Sequence, residues 1–264
     1  MRGDPPALGA GQGEEVKLLV VNPNITESVT RLIGDEARRA ASPGTELTLC
    51  TAPFGVAYIE TRFEAMIGAY AVAHVAGAQA AGHDAVVVAA FGDPGVPALR
   101  EVLDMPVVGL TEAALATASL LGNRFSIIAI SPRIAVWYRE SVEHCGMLGR
   151  LASVRALDRP IRDIGGVQDE HAQRLKELCM SAIDCDGADV LILAGAPLAG
   201  LARSIAGAIP VPVVDGVAAA VRQAEALAAL KPGAARGGSF APPPAKPNAG
   251  LPEPIRRLLK RPKT

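Results

Sequence analysis

Two stretches of the chain, VVVAAFGDPGVPALREVLDMPVVGLTEAALATA (residues 86–118) and VLILAGAPLAGLARSIAGAIPVPVVDGVAAAVRQA (residues 190–224), follow one plan. Each runs from an apolar strand into a turn of small residues and proline, then through a helix, a Pro-Val-Val strand and an Ala-rich helix. A plan that recurs once, roughly 105 residues on, marks two related half-domains rather than a solenoid of short units. Apolar runs of four to six residues alternating with helical stretches are parallel strands joined by βαβ crossovers. The repeat therefore predicts an α/β fold of two halves related by a pseudo-twofold axis, each a parallel sheet flanked by helices.

Outward from the repeat, the openings of the halves match as well. Val20-Val21-Asn22-Pro23 corresponds to Ala129-Ile130-Ser131-Pro132, in each case a strand ending on a polar residue and proline before a helix. Strands are expected at 17–21, 46–51, 85–89, 107–109, 125–130, 153–157, 190–193 and 213–215. Helices are expected at 28–40, 61–81, 95–102, 111–121, 134–144, 169–184, 198–206 and 217–230. The halves are then 16–115 and 116–230. Ligands of open α/β sheets bind beyond the carboxyl ends of the strands. With the two halves facing each other, the loops 22–26, 90–95, 131–133 and 195–200 would line one cleft.

Composition fits such a core. Half of the residues are hydrophobic and only 3% aromatic, so Val, Ile, Leu and Ala build the interior, as buried parallel strands require. A net charge of −1 gives no electrostatic case for a nucleic-acid or membrane-surface partner. Cys50, Cys145, Cys179 and Cys185 form no C-x-x-C pair and read as reduced thiols, neither disulfide framework nor zinc site. The histidines show no metal-ligand spacing, so no metal is expected. The first residues lack the apolar core of a signal peptide, and a cytoplasmic protein is expected. Residues 1–15 and the basic, Pro-rich tail 231–264 read as disordered. Within the tail, the run 254–259 is a helical turn, a peptide-binding motif or simply solvated chain.

Candidate ligand-binding residues sit on the four loops. Asn22, Asn24 and Thr26 suit an Asx-turn and a helix start, and equally a cradle for a carboxylate or imide at a helix N-terminus. Phe91 and Asp93 occupy a Gly/Pro turn in which Asp93 either caps the next helix or orients the loop against a ligand. Ser131, Gly195 and Ala196 complete the set from the second half. The adjacent His144 and Cys145 point in different directions on a helix and form no catalytic pair. The sequence holds no Walker loop, no G-x-S-x-G elbow and no G-x-G-x-x-G after a strand.

The segments 18–26, 51–60, 84–95 (DAVVVAAFGDPG), 106–109 (PVVG) and 212–217 (PVVDGV) resemble, in order, the hydantoin/allantoin racemase branch of the aspartate/glutamate racemase superfamily. The likeness covers nearly all of 16–230. It implies two Rossmann-like halves, no cofactor, a small-molecule ligand with a carboxylate or imide group, a homo-oligomer, and two cysteines facing each other across the acidic carbon. Racemisation needs two groups, because one removes a proton from one face and the other returns a proton to the opposite face. A thiolate and a thiol serve when loop amides and helix N-termini tune their pKa values. The family reads alanine-cysteine-phenylalanine where this chain has Ala89-Ala90-Phe91, and glycine-cysteine-alanine where it has Ala194-Gly195-Ala196. Both cysteine positions, Ala90 and Gly195, thus lack a proton-transfer group, and no catalytic residue is assigned from the sequence. The family-level expectation is racemase or isomerase chemistry on a small carboxylate, hydantoin or ureide. The alternatives are a lyase or decarboxylase that stabilises an enolate without thiols, and a non-catalytic ligand-binding protein.

Overall fold

The computed structural model describes residues 15–158 and 163–260; the N-terminal stretch expected to lack order lies, but for Glu15, outside the described residues. Two four-stranded parallel sheets form the centre. The first is built from β1 (Lys17–Asn22), β2 (Glu46–Thr51), β3 (Ala85–Val88) and β4 (Val107–Gly109), in the order β2-β1-β3-β4. The second is built from β5 (Phe125–Ala129), β6 (Leu151–Ala156), β7 (Val190–Leu193) and β8 (Val213–Asp215), in the order β6-β5-β7-β8. The two orders are the same, and all pairings are parallel. This is the α/β architecture that the repeat predicts. In each sheet the connections reverse direction between the first and third strands of the half, which places the ligand crevice beyond β1/β3 and β5/β7.

Among the described residues, nine helices cover the sheets of the repeat: α1 (Glu27–Ala40), α2 (Arg62–Gln79), α3 (Val96–Val102), α4 (Leu110–Leu121), α5 (Pro132–His144), the pair α6 (Val167–Glu170) and α7 (Ala172–Asp184), α8 (Leu201–Ile205) and, last, α9 (Gly216–Leu230) make up the flanking layers, with α6 a single turn. Local chemistry sets their starts. Thr61 accepts from Glu64 N at 3.2 Å while the Glu64 carboxylate accepts from Thr61 N at 2.9 Å, a reciprocal cap that begins α2. The helix expected at 169–184 is broken at His171 into α6 and α7. The one expected at 198–206 starts only at Leu201, because Gly200 stands at φ 83 and interrupts the chain after a short 3-10 turn. The strand expected at 153–157 starts two residues earlier, at Leu151.

The halves are not independent. α4, the last helix of the first half, packs on β7 and β8 of the second sheet, and α9 packs on β1, β3 and β4 of the first. The two helices also lie against each other, with buried Ala113, Ala114 and Ala118 facing the alanines of α9, so that small side chains let the backbones approach. Gln223 Nε2 donates across this contact to Ala113 O at 2.9 Å and Thr117 Oγ1 at 3.1 Å. One hydrophobic cluster therefore runs from Leu18 and Val87 through Leu115 to Ile192 and Val221. The expected division between residues 115 and 116 falls inside α4.

The tail departs from the expected free segment. After α9, Phe240 lies beside α3 and the β4 edge, and residues 253–259 form a helix, α10 (Glu253–Leu259), packed along α2. Gly77 makes this contact possible, since a Cβ there would collide with the Pro254 carbonyl. Leu258 then joins the apolar cluster of Val72, Val75 and Val86 on the outer face of the first sheet. The tail is too polar to fold alone, yet it docks because α2 presents a groove of small residues. Among the described residues no helix is long and apolar enough to cross a membrane.

Candidate functional site

The carboxyl ends of the two sheets face one cleft. Ala90, two residues beyond the end of β3, and Gly195, two residues beyond the end of β7, both line it, together with Asn24, Phe91, Ala196 and Tyr138. Tyr58 and Ile59, from the loop ahead of α2, line it as well. The cavity measures about 30 Å³, room for a water or two. A ring-sized ligand enters only if that loop or the halves give way.

The loop after β1 folds inward on its own amides. Asn22, 1% exposed, donates through Nδ2 to Thr30 Oγ1 at 2.9 Å and Asn24 Oδ1 at 3.0 Å, and its Oδ1 accepts from Asn24 N at 3.2 Å. Asn22 is therefore consumed by the protein and does not line the cleft. What it does is aim Asn24, whose Oδ1 also accepts from Thr26 N at 2.9 Å, leaving the Asn24 amide nitrogen outside this network. Thr26 donates from Oγ1 to Ala57 O at 2.6 Å, stitching the loop to the one that carries Tyr58. Ser131 caps α5, accepting from Arg133 N at 3.2 Å, and it too stays out of the cleft wall.

Asp93 does not cap the next helix, since α3 starts behind Gly95 without a side-chain cap, nor does it line the cleft; its carboxylate reaches the start of α4 instead. Held at φ 49, it accepts from Thr111 N at 2.8 Å and Glu112 N at 2.9 Å, capping α4. Gly92 N donates to Thr111 Oγ1 at 2.6 Å, so the turn that carries Ala90 and Phe91 is tied to the helix start. Burial is the main cause that raises the Asp93 carboxyl to about 7, with the two amides pulling it down. One edge of Asp93 opens onto a separate pocket of about 360 Å³, shared with Arg62, Glu112, Trp137, Glu140 and Cys145. At the rim of that pocket Arg62 of α2 donates from Nε to Glu140 Oε2 of α5 at 2.8 Å, bridging the two halves.

Tyr138 is the residue that sequence reasoning missed. It lies on the buried stripe Ile134, Tyr138, Val142 of α5, and that four-residue spacing, with one polar-tipped member, is the signal that marks it. The residue is 2% exposed, its ring tilted at 58° against Phe91 at 4.6 Å between centroids and beside Trp137 at 5.8 Å. Gly195 stands at φ 106, and a Cβ built on it would lie 3.5 Å from Tyr138 Oη. Burial, then the charge of Asp93, pushes the phenol well above its ordinary range.

The cysteines are elsewhere. Cys50 donates to Gln79 Oε1 at 3.1 Å and is raised by burial. Cys145 sits in the Asp93 pocket, pushed up to about 11 by burial and by the charges of Glu112 and Asp93. Cys179 is buried in the core and also raised to about 11 by burial, and Cys185 is exposed. None of the four lines the cleft. Among the described residues no group of His, Cys, Asp and Glu is placed to hold a metal ion.

Residues 18–224 match the family model described as Asp/Glu/Hydantoin racemase. The chain is 35% identical over 235 residues to a hydantoin racemase from Paenarthrobacter aurescens, a match that covers 88% of this chain and 99% of that one. Its structure is similar to an allantoin racemase from Klebsiella pneumoniae, with a TM-score of 0.85 at 35% identity, covering 89% of this chain and 96% of the other. An allantoin racemase from Pseudomonas fluorescens superposes with a TM-score of 0.82 at 36% identity over 89% of this chain and all of that one. Arylmalonate decarboxylase shares the fold at 16% identity, with a TM-score of 0.56 over 80% of this chain and 92% of the other.

Proposed function

Because the chain belongs to the Asp/Glu/hydantoin racemase family, we propose that its cleft binds a small carboxylate, hydantoin or ureide and acts at the acidic carbon beside the carbonyl. The observation that carries this reading is the meeting of Ala90 and Gly195 across a single cleft, each at the carboxyl end of the third strand of its half. Loop amides and the Asn24 side chain supply hydrogen-bond donors there for an oxyanion. The same reading has the reaction run without a cofactor in a cytoplasmic homo-oligomer. An exposed apolar stripe on α2, with Phe63 67% and Met66 61% exposed, supports the self-association.

A second reading is favoured by one specific observation. Neither Ala90 nor Gly195 carries a group that exchanges a proton, and the four thiols lie away from the cleft with raised pKa values where a shift is resolved. On this second reading the chain does without the two-thiol mechanism, and a lyase that stabilises an enolate, or a ligand-binding protein, takes its place. Proton exchange decides between them. Hydantoin, allantoin, aspartate and glutamate are incubated with the wild type in deuterated water, before and after alkylation by iodoacetamide. Exchange at the α-carbon that survives alkylation supports the first reading. Loss of activity on alkylation means that a cysteine is catalytic and that Ala90 and Gly195 are wrongly placed as the reacting positions. A rise in melting temperature without exchange leaves binding alone, since a ligand stabilises the native state whether or not it turns over.

A further inference from the structure

We propose that Tyr138 works the Gly195 face of the cleft, its hydroxyl donating a hydrogen bond to a carbonyl or carboxylate oxygen of the bound molecule and holding the charge that this oxygen gains as the neighbouring carbon turns into an enolate. The inference rests on the reading of the cleft given above and names the residue that would act within it.

Three observations converge. The phenol is nearly fully buried, at 2% exposure, yet its hydroxyl makes no hydrogen bond with any described residue, while the ring lines the cleft. Buried tyrosine hydroxyls ordinarily find a partner, and one left over at a cavity wall is placed for a ligand or a water. Its position is the second observation. The 3.5 Å from Oη to a Cβ at Gly195 puts the hydroxyl beside the space that a side chain at 195 would fill, so glycine there leaves the phenol open to the cleft. Rigidity is the third: Phe91 and Trp137 flank the ring, and Gly92 has no Cβ because Trp137 occupies that place. A preorganised donor needs such a clamp.

The phenol stays protonated, since burial and the nearby Asp93 raise it. It is a donor and not a base; its proton stays on the oxygen, and no bond to it is made or broken. Across the cleft the Ala90 methyl offers nothing equivalent. The two faces are thus unlike, and charge stabilisation from one side replaces the two-sided proton transfer of a thiol pair.

Tyr138→Phe removes the hydroxyl and keeps the ring. Hydantoin is the first probe, followed by aspartate and malonate. In the wild type labelled with ¹³C at tyrosine Cζ, one of three signals, identified by its absence in the variant, moves as hydantoin saturates the protein. The variant keeps its melting temperature, binds hydantoin about tenfold more weakly, and loses about a hundredfold in α-carbon exchange where the wild type exchanges. Equal affinity and exchange in the variant, or an unmoved Tyr138 signal at saturation, overturns the inference and spares the reading of the cleft. If the variant fails to fold, the wild-type signal still decides. A wild type that binds none of the three probes overturns the reading of the cleft, and the inference with it.

Discussion

In the first half of the molecule the carboxylate that caps the last helix comes from the loop after the third strand, Asp93; in the second it comes from the end of the fourth strand, Asp215. Asp215 accepts from Val217 N at 2.8 Å and Ala218 N at 3.1 Å, and its other oxygen accepts from Gly200 N at 2.6 Å. The repeat aligns Gly109 with Asp215 and Asp93 with Leu198. Gly109 has no side chain because the Asp93 carboxyl stands where its Cβ would be. Both halves make the same tie, from the loop that walls the cleft to the start of the helix lent to the other half, with the charge on opposite ends. Gly95 and Gly200, at φ 85 and 83, turn the two loops alike. The lesson is that the tie, rather than the residue, is what the architecture requires.

The comparison breaks hardest at Gly109. Gly109→Ala drives a methyl into the Asp93 carboxyl and should cost about 3 kcal/mol through crowding and a lost cap. Moving the carboxylate, with Asp93→Gly and Gly109→Asp together, should recover most of that in urea unfolding if the tie is what matters. A double variant no more stable than Gly109→Ala would show that the halves are not interchangeable.

The residues that end the first strands of the halves differ next. Asn22→Ala leaves buried partners unpaired and should cost about 2–3 kcal/mol. Ser131→Ala, which removes one bond at a partly exposed helix start, should cost about 0.5–1 kcal/mol. Equal losses would mean that the Asn22 network adds nothing beyond a cap. Weaker hydantoin binding in Asn22→Ala is expected only indirectly, through a displaced Asn24.

The two positions facing across the cleft should also respond unequally to a thiol. Gly195 at φ 106 and ψ 144 occupies backbone that L side chains avoid, so Gly195→Cys should lose about 1–2 kcal/mol. Ala90→Cys should lose less than about 1 kcal/mol. Thermal unfolding of the two single variants measures the gap, and equal stability would show that the loop around Gly195 relaxes.

A further effect is one of pH. Asp93 has a folded pKa of about 7 against an ordinary 3.8, so between these values the native state holds a proton that the unfolded chain gives up. Its contribution to stability is fully present below pH 3.8 and is lost as pH rises through 7. The urea midpoint of the wild type should therefore fall more between pH 5 and pH 8 than that of Asp93→Asn. Parallel pH curves would place the carboxyl at an ordinary pKa. The Arg62–Glu140 bridge, with both side chains largely in solvent, should add nothing measurable when Glu140 is changed to Gln.

The strands and the start of most helices were legible because strand-turn-helix chemistry is local. Pro132 opens α5 behind Ser131, and Pro106 and Pro212 precede the two short strands, as the repeat indicated. The site was legible as a set of loops and less so residue by residue. Ala90, Phe91, Gly195, Ala196 and Asn24 line the cleft; Asn22, Thr26, Ser131 and Asp93 turn to neighbours instead. Whether a polar side chain faces a ligand or its own backbone depends on which acceptors lie within 3 Å, and a loop's sequence does not say. Tyr138 stayed hidden for the reverse reason, since a helical stripe at core spacing reads as packing.

By itself, then, the sequence determined two parallel-sheet halves and a cleft between them, because periodicity, turn residues and an internal repeat are properties of short segments. It also set the absence of thiols at positions 90 and 195, which no folding can repair. Only the tertiary structure decided that α4 and α9 trade sheets and that the tail docks through Gly77. It also put Asp93 in one pocket and the Tyr138 hydroxyl in another. Each of these depends on surfaces brought together across long sequence separations, where the space left by a missing side chain, as at Gly77, Gly109 and Gly195, selects what fills it.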